Sequence, residues 1–444
     1  MGFFKKAAKP IRKGLYHKRG KSGRYQGYRI HLRVDEDGRG LLVINASRIL
    51  HLNRMATEFA KYIIDEWEDR EVVEEICSKY RVKRRKAEYD YMKLKNTIFE
   101  IATSDRIVPE LFLGMDRIDA FTKPISVPYR SDIVLTYRCN NNCEHCYVGR
   151  QKPFPEMEKE NWKNVIRRLW DIGIPHITFT GGEPTLRKDL PELVSYAEEI
   201  GLVTGVITNG RLLTQELVSE LVSAGLDHIQ ITIESHREKT HNKMVKADGW
   251  KETLEGIKNS LNSPLYVLTN TTLTTDNCNE IEEHIAFLKH IGIEKFAYNS
   301  LIYSGNGCAV GTGIEEEKIG KYVRRIKEKA EEHKLDFIWY TPTHYCVFDP
   351  CVAGVGLKQC SAAKYNIAIE PNGDVIPCQS YFETMGNILN DSWEKIWNSD
   401  VAQYLRNREY AEEKCKVCPD LNLCGNGCPL YNKAKDKAIF CSKG

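Results

Sequence analysis

The sequence lacks the features that would direct it to a membrane or to export. Its start, MGFFKKAAKPIRKG, has no long apolar stretch followed by a small-residue cleavage site. No run of about 18 apolar residues occurs anywhere, and neither low-complexity tracts nor fixed-period repeats are visible. We therefore expect a folded cytoplasmic protein with no membrane partner.

Acidic residues are absent from the first part of the chain. No Asp or Glu precedes Asp35, whereas 11 Lys and Arg residues lie between Lys5 and Arg33. Over all 444 residues the 64 basic side chains nearly balance the 61 acidic ones, so the net charge says little about partners. The local pattern predicts a solvated basic tail over residues 1–24.

Cysteine, in contrast, is abundant. The chain has 15 cysteines and no export signal. Because the cytosol keeps thiols reduced, disulfides are a poor explanation for this number. Metal ligation is the better one, and the spacing of the cysteines has to decide it.

The length predicts two to three domains. Residues 28–53 contain three short β-like runs, and three amphipathic helical stretches follow. This pattern predicts a winged-helix-like α+β domain over residues 25–110, with a linker over 111–129.

From residue 130 apolar strand-like runs alternate with amphipathic helices. Six βα units are predicted, with strands at 132–136, 175–180, 202–207, 227–233, 265–272 and 293–302. They predict an α/β fold, a partial (β/α)6 barrel over residues 130–342, with its ligand-binding loops at the carboxyl ends of the strands. Over residues 343–444 cysteines multiply and only DSWEKIWNSDVAQYL indicates a clear helix, so a third region held by metal is expected.

The segment LTYRCNNNCEHCY carries the first constellation of metal-ligand residues. It places Cys139, Cys143 and Cys146 in a CxxxCxxC pattern at the end of the first barrel strand. Three thiolates hold three corners of a four-iron cluster and leave one iron open to a substrate. The alternative is a structural zinc site with His145 as its fourth ligand.

With the aromatic Tyr147 behind it, this pattern resembles the radical S-adenosylmethionine (SAM) superfamily over about residues 130–305. The resemblance implies that the open iron chelates SAM and that electron transfer releases a 5′-deoxyadenosyl radical. It also implies an electron donor such as ferredoxin or flavodoxin. The second strand ends in TFTGGEPTL, similar to the GGEP motif of the family, whose glycines approach the SAM amino group. The matching residues are Gly181, Gly182, Glu183 and Pro184.

Later strand ends offer further SAM contacts by the same resemblance. Thr208 and Asn209 follow the third strand, and Thr232 and Glu234 follow the fourth, where relatives contact the ribose or the methionine portion. Each residue alone is also typical of a helix cap. After His241 the chain departs from the family, because Val245 and Lys246 stand where many relatives have an Arg near the SAM carboxylate.

The C-terminal cysteines resemble the SPASM domain, with a CxxCx5Cx3C core. Seven thiolates are too many for one cluster. The resemblance assigns one auxiliary cluster to Cys415, Cys418, Cys424 and Cys441. It assigns the other to Cys360, Cys378 and Cys428, with Cys351 and Cys346 as candidates for the fourth ligand and an open iron as the alternative. Three [4Fe-4S] clusters are therefore expected, against a zinc ribbon from CKVC and CGNGC.

Cys308 follows the sixth predicted strand, in SGNGCAVG. A thiol at that strand end is a candidate catalytic donor of a hydrogen atom to a substrate radical, although an inert thiol is the commoner role.

The amino-terminal domain resembles the small peptide-binding domain of the pyrroloquinoline-quinone D type. This resemblance implies a peptide maturase that recognises the leader of a ribosomally synthesised precursor peptide and then cross-links or oxidises its core. The alternative is a radical SAM oxidoreductase or decarboxylase that acts on a small molecule or a protein side chain. A redox-responsive nucleic-acid-binding protein would use the same winged helix, but it leaves GGEP and the cysteine triad unexplained.

Overall fold

A computed structural model describes residues 11–20, 28–45, 48–103, 125–149 and 155–436. The chain divides into two compact units. The first comprises residues 1–119 with 169–176 and 201–203, and the second comprises the remaining residues.

The first unit contains a four-stranded antiparallel sheet in the order β1-β2-β3-β4, followed by three helices. The strands are β1 (Gly14–Arg19), β2 (Arg29–Val34), β3 (Gly40–Ile44) and β4 (Arg48–Leu52), and the helices are α1 (Arg54–Ile64), α2 (Asp69–Lys79) and α3 (Arg84–Thr103).

Local sequence explains where these helices begin. The Asn53 side chain accepts a hydrogen bond from the amide of Ala56 at 2.9 Å and so caps α1. Glu68 and Glu71 form a reciprocal capping box at the start of α2. The apolar face of α1, including Phe59 and Ile63, packs with strand residues such as Leu42 in one buried cluster.

The predicted basic tail is too long. Gly14–Arg19 lies inside residues 1–24 and forms β1, which pairs with β2 in the register Gly14↔Val34. The segment GLYHKR has no clear apolar alternation because it is an edge strand, where basic side chains are tolerated and exposed. The three predicted β-like runs are therefore joined by a fourth strand. Residues 104–124, which include most of the predicted linker, lie outside the described part of the chain.

The second unit contains a ten-stranded sheet in the order β11-β10-β9-β8-β7-β6-β5-β12-β13-β14. Its strands are β5 (Arg130–Thr136), β6 (His176–Gly181), β7 (Val203–Thr208), β8 (His228–Thr232), β9 (Tyr266–Leu273), β10 (Lys295–Ser300), β11 (Asp336–Trp339), β12 (Asn366–Ile369), β13 (Asp374–Ile376) and β14 (Gly386–Asn387).

Helices of the barrel alternate with these strands, and shorter helices follow in the C-terminal region. The barrel helices are α4 (Lys159–Ile172), α5 (Leu190–Ile200), α6 (Gln215–Ser223), α7 (Glu238–Val245), α8 (Trp250–Leu261), α9 (Ile281–His290) and α10 (Glu316–Glu332). The C-terminal helices are α11 (Trp393–Trp397), α12 (Asp400–Arg406), α13 (Glu413–Lys416), α14 (Leu421–Cys424) and α15 (Pro429–Asp436).

All six predicted barrel strands are present as β5 to β10, which confirms the partial (β/α)6 barrel. β11 extends the parallel sheet beyond β10, and four residues are too few to have shown a pattern in the sequence. The predicted C-terminal helix is two helices, because Asn398 ends α11 and the Ser399 side chain caps α12. Among the described residues, no helix is both long and apolar enough to cross a bilayer.

Candidate functional site

Cys139, Cys143 and Cys146 lie in the loop that follows β5, close enough for the charge of Cys146 to act on the other two thiols. Burial raises the pKa of Cys139 to about 11 and raises that of Cys143 well above its ordinary value. A buried thiolate needs a positive partner, and a bound metal deprotonates such a thiol. The loop therefore fits an iron–sulfur cluster.

The glycines after β6 lie directly against the backbone that leads into this cysteine loop. The amide of Gly182 donates to the carbonyl of Thr136 at 2.7 Å, and the amide of Glu183 donates to the carbonyl of Arg138 at 2.9 Å. Gly181 has a φ of 149°, and a Cβ on either glycine would overlap these carbonyl oxygens. The glycines are needed here for the close approach of two strand ends.

Glu183 joins the ends of β6 and β7. Its Oε1 accepts hydrogen bonds from the hydroxyls of Thr185 and Thr208, each at 2.6 Å, and its Oε2 accepts one from the amide of Asn209 at 2.8 Å. The side chain is fully buried, and burial raises its pKa. Pro184 begins the short 3-10 turn that follows. Both carboxylate oxygens are thus occupied by protein donors.

Asn209 and Arg211 hold the cysteine loop from the end of β7. The Asn209 amide nitrogen donates to Oδ1 of Asn140 at 2.6 Å and lies 3.9 Å from Sγ of Cys139. Arg211 donates from Nη1 to the Asn140 carbonyl at 2.6 Å and to Oδ1 of Asn141 at 2.9 Å. The sequence analysis missed Arg211, although its place two residues after Asn209 at a strand end was the available signal.

Glu234 supports the same loop from the end of β8. Its Oε1 lies 2.9 Å from Nε2 of His145, and its Oε2 accepts from the amide of Thr272 at 2.7 Å. Burial alone would lower the pKa of His145, but the Glu234 carboxylate raises it above the ordinary value. The Nε2 atom of His145, the residue of the alternative zinc site, is therefore in contact with the Glu234 carboxylate. Thr232 is partly buried and pairs in register with Asn270 of β9.

The end of α7 also contacts the cysteine loop. The carbonyl of Val245 accepts from the amide of Asn142 at 2.9 Å, and Nζ of Lys246 lies 3.1 Å from a carboxylate oxygen of Glu144. The two residues at which the sequence departs from the family pattern are thus packed on the loop itself.

A further contact comes from the turn after β10, and the sequence analysis missed it. The amide of Asn306 donates to the carbonyl of Cys146 at 2.8 Å, and its side-chain Nδ2 donates to the carbonyl of Cys143 at 3.3 Å. Cys308 ends the 3-10 turn Gly305–Cys308 and is partly exposed. The motif SGNGC contains both Asn306 and Cys308, but the sequence interpretation considered only the Cys308 thiol.

Cys360, Cys378 and Cys428 form a second group, in which the three thiols are partly buried. The charges of Cys378 and Cys428 act on Cys360, and burial raises the pKa of Cys378 to about 12. Tyr147 is hydrogen-bonded to Thr180, and its hydroxyl is near enough to both Cys146 and Cys378 to feel their charges. The first two cysteine groups therefore flank one tyrosine.

The third group contains Cys346, Cys415 and Cys424, since the charges of the first and last act on Cys415. The amide of Cys418 donates to the Cys415 carbonyl at 3.1 Å, which keeps it beside this group. The structure places the candidate ligand Cys346 here rather than beside Cys360.

Cys351 and Cys441 are the two remaining cysteines that the sequence predicts as cluster ligands. Cys351 is exposed and interacts with Tyr345 and Asp349, and Cys441 lies outside the described residues. Within the described ranges, no three His, Cys, Asp or Glu side chains are grouped to hold one metal ion. A four-iron cluster takes its ligands at separate iron atoms, so its cysteines stand further apart than ligands of a single ion.

The fold and the cysteine groups together define an α/β barrel protein that binds iron–sulfur clusters. Residues 133–288 match the family model of the radical SAM superfamily, and residues 360–419 match that of the SPASM iron–sulfur cluster-binding domain. The chain therefore carries a radical SAM domain followed by a SPASM domain.

Two relatives are similar to this chain over about two thirds of its length. The chain is 28% identical over 320 residues to a PqqA peptide cyclase from Bradyrhizobium diazoefficiens, covering 68% of this chain and 81% of that one. It is 27% identical, also over 320 residues, to an AdoMet-dependent heme synthase from Methanosarcina barkeri, covering 66% and 89%.

Solved structures share the fold. SuiB of Streptococcus suis bound to SAM superimposes with a TM-score of 0.67 at 15% identity, covering 90% of this chain and 95% of that one. SuiB bound to its precursor peptide SuiA gives a TM-score of 0.65 at 14% identity, covering 95% and 96%.

Proposed function

We propose that this chain is a radical SAM oxidoreductase that modifies a ribosomally synthesised peptide, with three [4Fe-4S] clusters and an external electron donor such as ferredoxin or flavodoxin. The observation that carries the proposal is the loop of Cys139, Cys143 and Cys146, tied by hydrogen bonds to the ends of the neighbouring strands. When bound, the cluster and SAM supply a 5′-deoxyadenosyl radical.

The protein's own part is to hold the cysteine loop in one conformation. Glu183 joins the ends of β6 and β7, while Glu234 holds His145 and the end of β9. Because their oxygens already accept protein hydrogen bonds, these two carboxylates act on SAM by fixing the strand ends. Direct contacts with SAM are then made by the other residues predicted at the strand ends. The glycines contribute through their backbone. These residues are Tyr147, Gly181, Gly182, Pro184, Thr208, Asn209 and Thr232.

Leader recognition is assigned to the first unit. β4 ends its sheet and, among the described residues, pairs with β3 alone, so an extended peptide can add beside it by main-chain hydrogen bonds. The basic residues of the amino end would attract an acidic leader, mainly through the association rate. The precursor peptide bound to SuiB and the peptide substrate named for the PqqA cyclase support a peptide here as well.

The direct test is to incubate the reduced, reconstituted enzyme with SAM and a peptide encoded beside its gene. The proposal predicts 5′-deoxyadenosine together with a mass change in the core of the peptide. Formation of 5′-deoxyadenosine with no change in any such peptide would contradict it.

A matched pair of variants tests the edge strand. Ile49 on β4 and Met92 on α3 are each 36% exposed. Ile49→Asp should weaken leader binding by about tenfold, since it places a charge beside the added strand. Met92→Asp should leave binding unchanged. Equal binding by both variants, or binding of duplex DNA in place of the leader, would overturn leader recognition at β4.

A second candidate is oxidation or decarboxylation of a small molecule. The similarity to the AdoMet-dependent heme synthase favours it, because that relative covers nearly the same share of this chain as the peptide cyclase. Removal of residues 1–110 separates the two. A peptide maturase without this segment should still cleave SAM slowly but should modify its peptide poorly. If the truncated enzyme processes the peptide at the full rate, the result favours a small-molecule substrate.

A further inference from the structure

Among the described residues, no fourth thiol joins the group of Cys360, Cys378 and Cys428. Four-iron clusters are usually held by four protein ligands. The two cysteines considered for the position lie elsewhere, since Cys346 is beside Cys415 and Cys351 is exposed beside Asp349. The remaining ligand has to be an open position or a side chain that is not cysteine.

His344 has the arrangement of a metal ligand. Its Nδ1 lies 2.7 Å from Oε2 of Glu316, whose Oε1 accepts a hydrogen bond from the His344 amide, also at 2.7 Å. Both residues are buried, and Nε2 of His344 has no hydrogen-bond partner in the part of the chain that the structure describes. A histidine that donates from one ring nitrogen to a carboxylate presents a lone pair on the other, which is how metal-bound histidines are usually oriented.

The position of the ring points to the same group. A Cβ on Gly427 would lie 3.0 Å from Cε1 and 3.1 Å from Nδ1 of His344, so the ring lies against the residue that directly precedes Cys428. The amide of Tyr345, next to His344, donates to Sγ of Cys424 at 3.3 Å. The segment around His344 thus runs along the loop that connects Cys424 to Cys428.

That loop has a second unusual feature. Its three residues, Gly425, Asn426 and Gly427, all have φ values between 60° and 68°, which is costly for the non-glycine residue. Asn426 is fully buried, yet neither the oxygen nor the nitrogen of its side-chain amide has a partner among the described residues. One of these unpartnered groups, the Asn426 amide, thus lies within the loop that leads to Cys428, and the His344 ring lies against the same loop. Buried polar groups normally have partners.

We infer that His344 binds the auxiliary cluster of Cys360, Cys378 and Cys428 through Nε2 as its fourth ligand, while Glu316 orients the ring. This inference rests on the proposed auxiliary clusters. A neutral imidazole in place of a thiolate makes the cluster less negative, and histidine ligation is known to raise the reduction potential of iron–sulfur centres. The cluster would then accept an electron more readily than one held by four cysteines.

The experiment measures the bond rather than the activity. The full-length enzyme is reconstituted, reduced without SAM, and studied by pulsed electron paramagnetic resonance with natural and with ¹⁵N-labelled histidine. A nitrogen coupling that changes with the label and disappears in His344→Ala is expected. His284→Ala, which removes another buried imidazole from the barrel, should leave the coupling in place.

Two further measurements cover a variant that folds poorly. His344→Cys should keep its iron and lower the midpoint potential of one cluster, and imidazole added to His344→Ala should restore the nitrogen coupling. If the wild-type protein holds about 12 irons but shows no histidine coupling, the inference fails and the cluster proposal stands. If it holds about four irons and C-terminal zinc, both fail.

Discussion

The barrel site and the C-terminal cysteine groups are built in different ways. Around Cys139, Cys143 and Cys146, hydrogen bonds from the ends of four strands and from α7 fix the loop. Around Cys428 the chain has short helices, three successive positive φ values and buried polar atoms without partners. Protein hydrogen bonds hold the conformation of the first site, whereas we expect bound metal to hold that of the second.

This difference explains why both regions need metal but for different reasons. Partial burial raises the pKa of thiols at both sites, so each site needs a metal to hold its thiolates. In the barrel the sheet would persist without the cluster. Between Cys415 and Cys428, where the helices have only four residues, we expect metal binding to contribute to folding, as it does in small metal-held domains.

The largest effect is expected from replacing Cys139, Cys143 and Cys146 together with Ala. Formation of 5′-deoxyadenosine should stop, and about four of about 12 irons should be lost while the C-terminal clusters remain. Iron analysis and chromatography measure both. Undiminished SAM cleavage by a protein that lacks these irons would refute the barrel site.

Removal of iron should separate the two regions. After chelation, amide exchange should become fast over the short helices α13 to α15, while strands β6 to β10 keep their protection. Hydrogen exchange followed by mass spectrometry provides the measurement. Equal loss of protection in both regions would show that the barrel site depends on metal as strongly as the C-terminal one.

A single substitution tests the hydrogen bonds by which Glu183 joins the ends of β6 and β7. Glu183→Gln turns one acceptor into a donor facing protein donors, so it should cost about 1–3 kcal/mol of unfolding free energy and slow SAM cleavage. Glu192→Gln is the control, because that carboxylate is exposed and its ion pair with Lys159 contributes little. Urea unfolding measures the free energy of unfolding of the two variants. Equal values would show that the Glu183 hydrogen bonds do not stabilise the strand ends.

The smallest effect concerns acid and the barrel. Burial lowers the pKa of His284 to about 3, whereas an unfolded histidine titrates near 6.5. Protons therefore favour the unfolded chain as the pH falls below about 6.5, and this residue alone should cost about 2 kcal/mol between about pH 7 and pH 5. His284→Asn should flatten the dependence of stability on pH by that amount. A slope equal to that of the wild-type protein would count against a neutral buried ring.

Much of the barrel could be predicted because strands such as β5, β6 and β7 are mostly buried and the cofactor motifs directly follow them. The edge strand β1 was missed because its basic, partly exposed residues carry no apolar alternation. Contacts such as those of Asn306 and Arg211 depend on which loops meet at the strand ends, and no local pattern encodes that. For the same reason, spacing alone did not show that Cys346 belongs with Cys415.

The central claim is that the radical generated at the barrel site acts on a peptide. It is tested most directly with a precursor peptide deuterated throughout its core and incubated with the enzyme, SAM and a reductant. The account predicts deuterium in 5′-deoxyadenosine and a modified peptide in the same reaction. If 5′-deoxyadenosine forms at the normal rate but contains no deuterium, and the peptide is unchanged, the claim is contradicted.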